Sequence, residues 1–177
     1  MYDISKENDA IKKEIDIRGR YMMMACDIEY CLLNIIMFCN PDPHNHERAG
    51  QFKKMQMNGK IENVICDIKK YKTAYYNEFK ESFDGLEEFR IVRNDMAHNK
   101  GDFPNEPDFS IFRVTYVEKD SNGIEAMMYK DYTDTFIQES INRFAKINGD
   151  LSALWFRLYK EYGGQNSVFV HPSISTS

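Results

Sequence analysis

Between Tyr21 and Cys39 the chain carries a run of apolar residues in which Asp27 and Glu29 are the only charges. A helix that is apolar on every side has to be buried, either in protein or in lipid. As a bilayer span, this run would place both carboxylates near the membrane centre, at about 2.5–3.5 kcal/mol each on insertion scales. The run therefore predicts the core helix of a soluble, cytoplasmic protein with no membrane association. Its apolar positions are expected at Ile11, Ile15, Met22, Cys26, Leu32, Leu33 and Ile36. Pro41 and Pro43 should end it, since proline cannot continue a helix.

The rest of the composition fits that reading. A chain of 177 residues is long enough for one domain to bury a core without metal or disulfide support. Its 42% apolar and 29% charged residues exclude a disordered or fibrous polymer. A net charge of −5 argues against coating nucleic acid by bulk charge, while leaving room for a local basic patch. The charged start, Met1 to Glu7, has no signal-peptide apolar core. Cys26, Cys31, Cys39 and Cys66 lie in helix-like apolar runs without zinc-ligand spacing, so buried thiols of a reducing compartment are expected.

Helical spacing continues beyond the first run. A short amphipathic piece around Phe52 and Met55 precedes a break at Asn58-Gly59. A longer helix is then predicted through Ile61, Val64, Ile65, Ile68, Tyr71, Tyr75 and Phe79. Asp84 with Glu87 three residues on reads as a capping box for the next helix. That helix carries the stripe Leu86, Phe89, Val92 and Met96, and should stop near Asn99 before Gly101 and Pro104. There the period changes from 3.6 to 2. Two alternating runs, Ile111–Val117 and Ile124–Tyr129, flank Asn122-Gly123, a strong hairpin signal. From Thr133, an expected N-cap, a 4-3-4-3 rhythm from Ile137 to Tyr162 crosses Gly149 unbroken and predicts one long helix. The expectation is a mainly α single domain over residues 1–162 with one β-hairpin at about 109–130. A polar tail follows over residues 163–177.

Charge is uneven along the chain. Seven basic and two acidic residues between Arg48 and Lys72 face a balance of three to nine between Asp102 and Glu139. Within the first region Lys69, Lys70 and Lys72 alternate with tyrosines that could stack bases, although helical spacing assigns most of those rings to a core or an interface. His44-Asn45-His46-Glu47 lacks the further ligands a metal site needs.

The segment richest in chemistry is Arg93-Asn94-Asp95-Met96-Ala97-His98. At 100° per residue, Arg93, Ala97, Arg90, Asn94 and His98 fall in that order along an arc of about 140° beside the core stripe. Two guanidiniums, an amide and an imidazole thus share one edge of a helix. An imidazole can exchange a proton with a ribose 2′-hydroxyl or a leaving 5′-oxygen. A guanidinium can hold a phosphate bidentately and stabilise charge developing on it.

Arg93-Asn94-x-x-Ala97-His98 resembles the R-x4-H signature of HEPN domains (higher eukaryotes and prokaryotes nucleotide-binding), and the helical context over roughly residues 5–160 is similar. The resemblance implies an antiparallel helical bundle with the hairpin as an insertion, and a homodimer with two motifs face to face. It implies a metal-independent RNase of toxin–antitoxin or defence systems, acting on RNA without a cofactor and opposed by an antitoxin or other protein partner. His98 would be the acid/base residue, Arg93 the phosphate ligand and Asn94 a polar helper. Arg90 would support them, and Lys69, Lys70, Lys72 and Lys100 would bind RNA. Asp27 and Glu29 are costly to bury alone: either one of them, Glu29 before Asp27, pairs with Arg93 or Arg90 and orients the site, or both reach solvent or pair with unrelated lysines. A non-catalytic HEPN module that binds nucleotide, RNA or a protein is the alternative.

Overall fold

A computed structural model describes residues 4–40, 45–105 and 108–163. Pro41, Pro43, His44, the side chain of His46, and the tail from residue 164, with His171, lie outside the described residues. Within them the elements run α1 (Ile4–Cys39), α2 (Asn45–Lys53), α3 (Met57–Tyr71), α4 (Thr73–Glu78), α5 (Lys80–His98), β1 (Lys100–Asp102), β2 (Ile111–Lys119), β3 (Glu125–Thr133) and α6 (Asp134–Gly163). The fold is mainly helical, with a small antiparallel sheet in the order β1-β2-β3.

The helix α1 is the axis of the core. Ile17, Tyr21, Ala25, Ile28, Leu32, Ile35 and Cys39 are buried along one side, at spacings of three and four. By length and composition alone, α1 could also cross a membrane. Against it pack α6, through Phe144, Leu151, Leu154 and Leu158, and α3 and α5, through Val64, Ile68, Phe89 and Met96. Ring edges meet there: Phe144 lies 6.2 Å from Tyr21 and 5.2 Å from Phe89 between centroids.

Several expectations change in three dimensions. Ile11 and Ile15 are exposed, because the buried stripe of α1 begins two residues later at Ile17. Cys31 and Cys39 are buried, but Cys26 and Cys66 face solvent, and all four are free thiols. Burial pushes the Cys39 thiol up to about 12, so it is a packing group rather than a reactive one. Asn58-Gly59 does not separate helices but sits in the first turn of α3. The helix expected to run on to Phe79 breaks at Lys72, whose φ of −142° leaves the helical region, and α4 is a separate short piece. Asp84 is no N-cap. The helix α5 starts one turn earlier, and Asp84 instead accepts an ion pair from Lys80 four residues before it.

The hairpin spans Ile111–Thr133, with Lys119 opposite Glu125, and is longer than expected at its second strand. Gly123 takes a φ of +78° in its turn, where a side chain would be strained. It is also not alone, since β1 adds a third strand with Gly101 opposite Val114. Three residues lacking alternation carry no strand signal, so β1 is recruited by pairing rather than by its own pattern. As expected, Thr133 caps α6, its Oγ1 accepting from the Phe136 amide at 3.1 Å, and α6 runs through Gly149 without a break. A Cβ at Gly149 would meet nothing within 4 Å. Gly149→Ala should therefore raise stability by about 1 kcal/mol, read as a higher urea midpoint with an unchanged slope.

Candidate functional site

The last two turns of α5 carry Arg93, Asn94 and His98, and three neighbours hold that end in place. Its core face, Phe89, Val92 and Met96, is buried against α1, α3 and α6. From α1, the Arg18 guanidinium reaches the terminal carbonyls: Nη1 donates to Met96 O, and Nη2 donates to Asn99 O at 2.8 Å. Carbonyls at a helix C-terminus lack intrahelical partners and carry partial negative charge, so a guanidinium there both caps and neutralises. Arg18 is in turn fixed by Glu14 at 2.8 Å and lies over the Phe112 ring of β2.

On another side Asp95 ties α5 to β3. It accepts from the Tyr132 hydroxyl, from Lys130 Nζ at 3.3 Å, and from Asn99 Nδ2 at 3.3 Å. Burial, then the hydrogen bond to Asp95, raises the Tyr132 hydroxyl above its ordinary pKa and keeps it a donor. The sheet therefore braces the motif helix as well as covering the core.

The remaining edge opens into a cleft of about 490 Å³. One wall is α5, with Arg90, Arg93, Asn94 and His98. The other is the α2–α3 junction, Met55 to Asn58, together with Lys60 and Glu29. The edge predicted from helical geometry is thus a real surface, with all four polar side chains on one cavity. Arg93 Nη1 donates to Asn94 Oδ1 at 3.2 Å and lies 3.5 Å from His98 Nε2. Its Nε–H is buried and has no hydrogen-bond partner among the described residues. Nor does Arg93 pair with any carboxylate there, whereas Arg90 is bound to Glu87 through two contacts of 2.9 and 2.5 Å. That contact holds the Glu87 carboxyl below its usual range. Buried polar groups are ordinarily satisfied; among the described residues the other buried side-chain donor left this way is Arg48 Nη1.

Glu29 belongs to the cleft but not in the expected role. It pairs with Lys60 at 2.5 Å rather than with Arg93 or Arg90. With its side chain only 10% exposed, Lys60 is the less accessible partner. Glu29→Gln would leave that ammonium without its counter-charge and should cost about 1–2 kcal/mol in urea unfolding. An unchanged midpoint would mean that the pair contributes no stability.

None of the lysines expected to bind RNA lines this cleft. Lys72 pairs with Glu161 at 2.7 Å, while Lys69 and Lys70 lie over the rings of Tyr76 and Tyr71 at 4.6 and 4.8 Å. Lys100, in β1, is exposed. The wall formed by Met55, Gln56, Met57 and Asn58 was not legible as part of a site, because nothing in its residue types carries chemistry. No group of three or more His, Cys, Asp or Glu side chains among the described residues could hold a metal ion. No family model, curated protein or solved structure matches the chain.

Proposed function

We propose that this chain is a HEPN-type, metal-independent endoribonuclease of the cytoplasm, acting in a toxin–antitoxin or other defence system. The observation that carries the reading is Arg93, a guanidinium whose buried Nε–H has no hydrogen-bond partner and which pairs with no carboxylate among the described residues, 3.5 Å from an exposed imidazole on the wall of an open cleft. A phosphodiester seated there meets Arg93 as a bidentate ligand, with Asn94 orienting the guanidinium. His98 removes the 2′-hydroxyl proton, the 2′-oxygen attacks phosphorus, and the 5′-oxygen leaves with a proton. The chain would then leave a 2′,3′-cyclic phosphate and a 5′-hydroxyl.

Two proton transfers call for two groups, and each cleft holds one imidazole. A homodimer with the clefts facing each other supplies the second. The same count supports the alternative reading, a module that binds nucleotide, RNA or a partner protein without cleaving. Cleavage of single-stranded RNA in EDTA, with the product ends mapped, tests the choice. Cyclic phosphate ends support transesterification; 3′-hydroxyl ends or an absolute need for magnesium would overturn it. Sedimentation of the same sample reads the dimer.

A further inference from the structure

The Glu29–Lys60 pair is a shared wall. On one side lies the Arg93–His98 cleft. On the other lies a smaller one of about 170 Å³, between α1 and the end of α2, with Tyr30, Leu33, Phe52 and Lys53. Phe52 is buried beneath it, whereas Tyr30 is 59% exposed, far more than an aromatic ring of the core. Tyr30 is nevertheless not loose, since Trp155 of α6 meets it edge to face, with centroids 6.2 Å apart and planes at 85°. Lys53 is exposed and has no carboxylate partner among the described residues. In the same basic region Arg48 is paired with Asp67, Lys60 with Glu29 and Lys72 with Glu161. The positive charge left for a ligand beside the cleft is therefore at Lys53 and its neighbour Lys54, not at Lys72.

We propose that this second cleft is a nucleotide subsite for single-stranded RNA, in which Tyr30 stacks on a base flanking the scissile phosphate and Lys53 meets the adjoining backbone phosphate. The inference rests on the reading of the Arg93–His98 cleft as the place where RNA binds. A fixed, exposed ring beside an apolar floor offers a planar base a stacking face without sequence preference. The ring is already held by Trp155, so little side-chain freedom is lost on binding. The Glu29 carboxylate, which alone would repel the strand between the two clefts, is neutralised by Lys60.

Trp155 is the only tryptophan of the chain and touches Tyr30, so its emission reports on this subsite directly. The test uses the full chain carrying His98→Ala, so that RNA stays intact, titrated with an adenylate octanucleotide. Octamer binding should quench Trp155. Adding Tyr30→Ala should weaken binding by about 5- to 150-fold, whereas Tyr30→Phe, which keeps the ring, should bind as the parent does. Lys53→Gln should reduce the slope of log Kd against log salt by about 0.7. Equal affinity of the parent and Tyr30→Ala, or no binding of the octamer at all, would overturn the subsite. The two readings fail separately. If the chain with His98 intact leaves RNA uncut but Tyr30→Ala still weakens binding, cleavage is wrong and the subsite stands. If RNA is cut in a His98-dependent way and Tyr30→Ala changes no affinity, only the subsite is wrong.

Discussion

His98→Ala is expected to lower RNA cleavage in EDTA by about 10²–10⁴-fold, the share an acid/base group contributes to proton transfer. Arg93→Ala should cost about 10²–10³-fold, as a donor to developing phosphate charge does. Neither side chain holds the fold together. His98 is exposed, and the contacts of Arg93 are to Asn94 and His98 beside it. Both variants should therefore keep the parent's circular dichroism and thermal midpoint. Removing Arg93 also removes a buried donor without a partner among the described residues, which is a further reason for the midpoint not to fall. Cleavage that survives in both variants would point to a contaminant and remove the main support for the nuclease. No cleavage by any of them, with RNA still bound, would favour the binding module.

The second large effect is expected at a glycine three residues past His98 that takes no part in the chemistry. Gly101 lies where β1 passes between Phe112 and Arg18. A Cβ there would stand 2.3 Å from Phe112 Cζ and 2.7 Å from Arg18 Nη2. Phe112 is fully buried and cannot swing aside, so Gly101→Ala should destabilise the protein by about 3 kcal/mol, measured as a lower urea midpoint. The displaced Arg18 is the group that caps α5, so the motif end of the helix should loosen with it. Hydrogen exchange at the amides of residues 95–99 would read this, accelerating beyond what global destabilisation alone accounts for. Wild-type stability in Gly101→Ala would show that the strand tolerates a shift and that the cap is not tightly held.

Much of this arrangement is legible in the order of residues, where the information is local. The helical rhythm of α6, its Thr133 cap, and the alternation flanking Asn122-Gly123 each follow from neighbours a few positions apart. So does the placing of Arg90, Arg93, Asn94 and His98 on one edge, because 100° per residue is a property of any helix. What failed locally was overruled by packing. Asp84 with Glu87 has the form of a cap, but α5 begins one turn earlier, and burial of Phe83 and Ser82 sets its start. Propensity is a weak prior against packing of that kind.

The chain order by itself determined that this is a mainly helical protein with an antiparallel hairpin, and that one helix edge gathers two guanidiniums, an amide and an imidazole. Only the tertiary structure decided what that edge faces and what holds it. Arg18 reaches the end of α5 from 78 residues away, Lys60 takes Glu29 from the arginines across 31, and Tyr132 fixes Asp95 across 37. Whether a charge is free or already paired depends on which distant side chain packs against it, and no spacing rule contains that distance. Arg90 is the exception that a spacing rule does contain: Glu87 stands three residues before it on the same helix, whereas Arg93 has no acidic residue three or four positions away, and the Glu29 of the same cleft is held by Lys60.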